Sequence, residues 1–188
     1  MIFLDIETKN TANEDYFSTK GLQISYTGVI DEAGNELDFW EKDIPALGEL
    51  LKKADWIVGY NSISFDLPVI GNYLGIEIND LPQLDLMVAL QKAIGFKPKL
   101  DDVVTATLGK GKIGHGSDAP VYFASGRLDE LKAYCMEDVR LTKQLYEFGL
   151  TNGYVKYYSK KGFVEEVKIN WDLGKKEKKI VEQKLSLF

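Results

Sequence analysis

The 188 residues suffice for one well-cored domain and fall short of two, and 45% hydrophobic with 28% charged residues is the balance of a globular protein. No apolar run approaches the ~20 residues of a membrane span, an acid already stands at Asp5 where a signal peptide would be apolar, and the one cysteine cannot form an internal disulfide, so a cytoplasmic protein is expected. The net charge of −6 argues against extended contact with a polyanion, but residues 151–188 hold nine lysines against five acids, +4, leaving −10 on residues 1–150, the pattern of a local basic grip on an acidic body.

In chain order, Ile2 to Ile6 is a short apolar run punctuated by acids and predicts a buried strand. Leu22 to Ile30, rich in β-branched and aromatic residues, predicts a second, and the turn Asp31 to Asn35 leads to a third over Glu36 to Glu41. A short helix is expected over Pro45 to Ala54, a strand over Trp56 to Tyr60, and a helix over Asp66 to Leu74 with Pro68 in its first turn. Residues 84–94 and 99–108 pattern as helices, and Gly109 to Asp118 as a glycine-rich loop. Apolar positions 128, 131, 135, 139, 141, 145 and 148 predict a long amphipathic helix over Leu128 to Leu150, ending at Gly149 or Gly153. Tyr154 to Ser159 and Phe163 to Ile169, joined by Lys160-Lys161-Gly162, predict a β-hairpin. The lysine-rich tail from Asp172 fits either a helix or disorder. This order predicts an α/β domain over residues 1–150, a mixed sheet with helices on its faces, extended by the hairpin and tail of residues 151–188.

Three acidic sites stand out. Asp5 and Glu7, two apart on a strand, project to one face, and an acid among Phe3, Leu4 and Ile6 is costly without a partner. Asp66 follows a polar loop, Gly59-Tyr60-Asn61-Ser62-Ile63-Ser64-Phe65, at the start of a helix. Tyr134 and Asp138, four apart, share a face of the long helix. Each has an ordinary structural reading taken alone: an acid at a strand end, a helix N-cap, a tyrosine bonded to its helical neighbour.

Taken together and in order, the sites resemble the motifs of the DEDD (DnaQ-like) 3′→5′ exonuclease superfamily: D-x-E in FLDIET, N-x3-F-D in YNSISFDLP, and Y-x3-D in YCMEDVRLT. The middle motif is especially similar to the proofreading domain of family B DNA polymerases, and LDL at 84–86 and KLDDVVTATLG at 99–109 add to the likeness. The resemblance implies a ribonuclease-H-like fold over residues 1–150 and two divalent cations, Mg²⁺ or Mn²⁺, held by Asp5, Glu7, Asp66 and Asp138. Such cations, ~4 Å apart, flank a scissile phosphate, and hard oxygen ligands suit them. It further implies that Asp5 bridges both cations, that Glu7 and Asp138 complete the nucleophile-side site and that Asp66 serves the leaving-group side. With Tyr134 four residues before Asp138 and Ala133 five before it, the chain resembles the tyrosine branch, in which that side chain orients the attacking water.

Thr8 and Asn61 occupy positions that, by the same resemblance, touch the 3′-terminal nucleotide, and Phe65 either stacks on a base or packs in the core. Lys110 and Lys112 either approach phosphates or are solvated, and His115 in the loop is read as solvated or as a substrate contact. Cys135 is read as a small buried residue, and Asp85, Asp101 and Asp102 as helix caps and surface acids. Beyond residue 150 nothing resembles a polymerase, so a stand-alone enzyme acting on the single-stranded 3′ end of a nucleic acid is expected. The activity expected is release of nucleoside monophosphates from DNA; trimming of RNA 3′ ends and an inactive nucleic-acid-binding domain are the alternatives.

Overall fold

A computed structural model describes residues 1–10, 19–76, 78–111, 118–171 and 173. A five-stranded mixed sheet lies at its centre, in the order β3-β2-β1-β4-β5. Strand β1 (Ile2–Thr8) pairs antiparallel with β2 (Ile24–Asp31), which pairs antiparallel with β3 (Glu36–Trp40); β4 (Ile57–Gly59) and β5 (Gln83–Asp85) run parallel to β1.

Strand alternation sorts the sequence into two cores. Ile2, Leu4 and Ile6 pack with Leu47 and Leu51 of α1 (Ile44–Lys53) and with Leu67 and Ile70 of α2 (Asp66–Leu74). Phe3, Tyr26 and Ile30 pack on the opposite face with Val103 and Val104 of α4 (Leu100–Leu108) and with Leu131, Val139 and Leu145 of α6 (Leu128–Asn152). Helices on both faces of a mixed sheet are the α/β architecture that the element order predicts.

The structure corrects two local expectations. Residues 84–94 are not one helix: Gln83 to Asp85 pair with Ile57 to Gly59 as the sheet edge, and α3 (Leu86–Ile94) starts directly after them. Three residues are too few for a visible strand period, and only pairing with β4 makes them a strand. Between the glycine-rich loop and the long helix lies α5 (Asp118–Ala124), which buries fully only Ala119 and so shows little periodicity. Helix α6 ends at Gly153, the second of the two expected stops, which at φ 74° takes the left-handed conformation.

The hairpin, β6 (Tyr154–Tyr158) and β7 (Val164–Lys168), follows at once. Val155, Tyr157 and Trp171 enter the same core as Phe3. Thr107 Oγ1 donates to the Lys156 carbonyl at 2.8 Å and accepts from its N–H at 2.9 Å, bonding β6 to α4. Because β6 starts beyond Asn152, fourteen residues past Asp138, the hairpin begins ~20 Å along the helix axis from that acid. The tail beyond residue 173, with its lysines, and Lys112 and His115 lie outside the described residues.

Candidate active site

The site grows from the odd-numbered face of β1. Asp5 and Glu7 lie in the same row as Phe3, on the side covered by α6, and both are half-buried. What brings the helix down to them is Gly28, the register partner of Asp5 on β2. A Cβ at Gly28 would stand 3.2 Å from Val139 Cγ2, 3.4 Å from Met136 Cε and 3.5 Å from Cys135 Sγ. The bare backbone gives α6 a seat, and Tyr134 and Asp138 ride on it, both buried at 4% and 5% exposure. The mutual influence of these groups is plain at Tyr134. Burial first, then the charges of Asp138, Glu7 and Asp5, push its phenol above the ordinary tyrosine range.

Asp66 arrives from the other side of the sheet. Strand β4 matches β1 only at Ile2 and Phe3 and ends at Gly59, so the N–H of Ile6, further along β1, has no strand partner there. Asp66 Oδ1 accepts from that N–H at 2.9 Å. The carboxylate is thereby fixed on the backbone of the residue between Asp5 and Glu7. It makes no cap for α2, whose cap residue is Phe65, so the capping reading of this acid is set aside. Burial pushes the Asp66 carboxyl up to about 7, opposed by the Ile6 hydrogen bond and reinforced by Asp85 and Asp138.

The loop that delivers Asp66 is braced by Asp85. Its Oδ1 accepts from the N–H of Asn61 at 2.9 Å and of Val88 at 3.1 Å, and its Oδ2 from Ile63 N–H at 3.0 Å. Asp85 caps α3 as expected, but it is buried at 3% exposure and is no surface acid. Its place between Leu84 and Leu86 is the sequence signal for a buried, hydrogen-bonded carboxylate. Asn61 takes φ 66°, a left-handed conformation to which asparagine is better suited than most residues, and turns the loop sharply after Gly59.

Cys135 is fully buried, and its Sγ lies 3.4 Å from the Asp5 carbonyl and 3.5 Å from Asp5 Oδ2. One ligand atom each from Asp5, Glu7 and Cys135 lies within 4.8 Å of the others. Two hard carboxylates, with the Asp66 carboxylate anchored on the peptide between them, are donors that hard divalent cations accept, so the residues present fit such cations. Burial, then Asp5 and Glu7, raise the thiol of Cys135, which keeps it protonated in this setting.

The remaining candidates fall in different places. Thr8 is buried and donates to the Asn10 carbonyl at 2.8 Å. Phe65 is half-buried and packs against the α1–α2 core. Lys110 Nζ donates to Gln144 Oε1 at 2.7 Å, six residues past Asp138 on α6. Asp101 and Asp102 stand in the first turn of α4, where acids favour the helix dipole. The residue missed in the sequence is Gly28, whose signal was an isolated glycine inside a strand.

Half-buried acids on the middle strand of a mixed sheet, with buried Asp66 and Asp138 brought to them from helices on its two faces, are the pattern of a ribonuclease-H-like domain. The family model described as the RNase_H superfamily matches residues 2–149, and the chain belongs to that superfamily. Among solved structures, it is similar to the family B DNA polymerase from the hyperthermophilic archaeon Pyrobaculum calidifontis. The TM-score is 0.63 and the identity 21%, over 79% of this chain and 24% of that one, so the likeness is one of fold and the chain spans under a quarter of that polymerase. No curated protein sequence matches. Membership of the superfamily relates the chain to nucleases, whose substrate is nucleic acid and which generally use divalent cations. Among the described residues no helix is long and apolar enough to cross a membrane.

Proposed function

We propose that the chain is a 3′→5′ exonuclease of the tyrosine DEDD branch, releasing nucleoside monophosphates from the 3′ end of single-stranded DNA. The observation that carries this reading is the hydrogen bond from Ile6 N–H to Asp66, which draws an acid from α2 onto the backbone between Asp5 and Glu7. A buried carboxylate of this kind, beside two more and within reach of Asp138, is unfavourable for folding alone and suits a site that gathers cations.

Asp5, Glu7, Asp66 and Asp138 would hold two divalent cations. Bound there, the cations would supply Lewis-acid stabilisation of charge at the scissile phosphate and acidify the attacking water. Tyr134 orients that water for in-line attack on phosphorus, as the bond to the 3′-oxygen of the preceding nucleotide breaks. Its phenol, raised by burial and three neighbouring acids, stays protonated at neutral pH, so it acts as a positioning donor and not as the base. By the same resemblance, Thr8, Asn61 and Phe65 would contact the 3′-terminal nucleotide.

A matched pair of DNA and RNA oligonucleotides, labelled at the 5′ end, tests the proposal. With Mg²⁺ or Mn²⁺ the labelled DNA strand shortens as a ladder, and Asp66→Ala or Asp138→Ala abolishes the ladder while the protein stays folded. Full activity in chelator, or loss from the 5′ end, refutes the mechanism; faster shortening of RNA than of DNA refutes the substrate.

A further inference from the structure

Helix α5 is unused by the chemistry above, yet it contacts both β1 and α6 beside the acids. Two consecutive aromatic residues on it, both half-buried, each carry a cation. Lys9, two residues after Glu7, places its Nζ 5.2 Å from the centroid of the Phe123 ring and pairs with Glu41. Arg127 sets its guanidinium 4.7 Å over the Tyr122 ring and pairs with Glu130. The Tyr122 ring in turn stands edge-on to Tyr134, with centroids 6.4 Å apart. One cation thus extends from the strand that bears Asp5 and Glu7, and the other sits one ring away from Tyr134.

Resting on the exonuclease reading, we propose that Lys9 and Arg127, seated on Phe123 and Tyr122, form a phosphate-binding wall that holds the terminal nucleotides of a single strand against the acidic centre. Residues 1–150 carry a net −10, and Lys9 and Arg127 are each matched by a carboxylate, so a phosphate gains them by displacing Glu41 and Glu130. Each cation is held by a ring and by one carboxylate, which limits the conformational freedom that a long side chain would lose on binding. The side chains keep 25% and 46% of their surface exposed, so both can still reach a phosphate oxygen. Arg127 further offers a planar face on which an unstacked base can lie, a feature of single strands and not of a closed duplex.

The test uses the full chain, a 5′-fluorescein single-stranded DNA oligonucleotide and a series of NaCl concentrations. Binding is read by anisotropy with Ca²⁺ replacing Mg²⁺ to slow cleavage, and turnover is read in Mg²⁺. In K9Q/R127Q the slope of log Kd against log[NaCl] should flatten by about 1.4, roughly 0.7 for each lost phosphate contact. KM should rise about tenfold with kcat within about threefold, since both contacts act alike on ground and transition states. Lys9→Arg and Arg127→Lys keep the charge and should keep the slope, and they report on the wall should the double variant fold poorly. Lys52→Gln, on α1 in the other core layer, should leave all three readouts unchanged. A double variant with the wild-type slope and KM overturns the wall, and so does a loss confined to kcat. If wild type shortens the strand while the double variant matches it, only the wall fails; if wild type neither binds nor shortens it, the exonuclease reading fails and the wall with it.

Discussion

Tyr134 and Asp66 are the residues at which the electrostatics of the site are most directly testable. Tyr134→Phe keeps the ring that packs against Tyr122 and removes only the hydroxyl, so folding should survive. Turnover should fall by one to a few powers of ten, up to the roughly 10²–10⁴ attributed to a positioned proton-handling group, with little change in KM. Steady-state kinetics on a labelled strand check both. For Asp66, burial lifts the carboxyl from 3.8 to about 7, so in chelator the folded chain binds a proton that the unfolded chain has already released. The associated stability is therefore present below about pH 4 and is lost as the pH rises through about 7. Urea denaturation without metal should show this decline between those limits, and Asp66→Asn should flatten it. A wild-type profile that rises over the same window would contradict the assignment.

At the scale of elements, the arrangement depends on how α6 lies on the sheet. Gly28→Val should push Val139, Met136 and Cys135 away, destabilise the fold by about 1–3 kcal/mol through overpacking, and lower turnover as Tyr134 and Asp138 shift. Gly149→Ala is the control on the same helix. Its Cβ would come within 2.5 Å of Trp171, far from the acids, so it should cost stability and leave turnover of the folded protein near wild type. Chemical denaturation and kinetics on both variants separate a seat for the site from a general packing fault. This scale was only partly legible in the sequence. The long helix and β1 were, because many apolar residues recur at a fixed period. Strand β5 and helix α5 were not: each is short, and what defines it is pairing with β4 or packing on α6 and β1, neither of which leaves a period in the chain.

For the whole molecule, the acids that converge from β1, α2 and α6 repel one another, so the fold should be strengthened by any cation that binds them and not the unfolded chain. Melting temperature should rise with Mn²⁺ concentration, and the rise should shrink in Asp5→Ala, whose metal-free form should melt at or above wild type. Thermal scans over a Mn²⁺ series check this; an undiminished rise in Asp5→Ala would place the cations elsewhere. Net charge divides along the same lines, since the basic hairpin begins ~20 Å from Asp138 along α6. Lys9, by contrast, stands two residues after Glu7, and Arg127 lies over Tyr122, the ring edge-on to Tyr134. By itself, the sequence determined the α/β class and the faces of the long elements, because periodicity is a local property, and it singled out the acids only as candidates, through motifs. Only the tertiary structure decided that Asp66 turns to the Ile6 amide and does not cap its own helix, that Asp85 is buried as a brace, and that Gly28 seats α6. In each case the deciding partner is a backbone group or side chain more than twenty residues away in sequence, brought near only when the sheet forms.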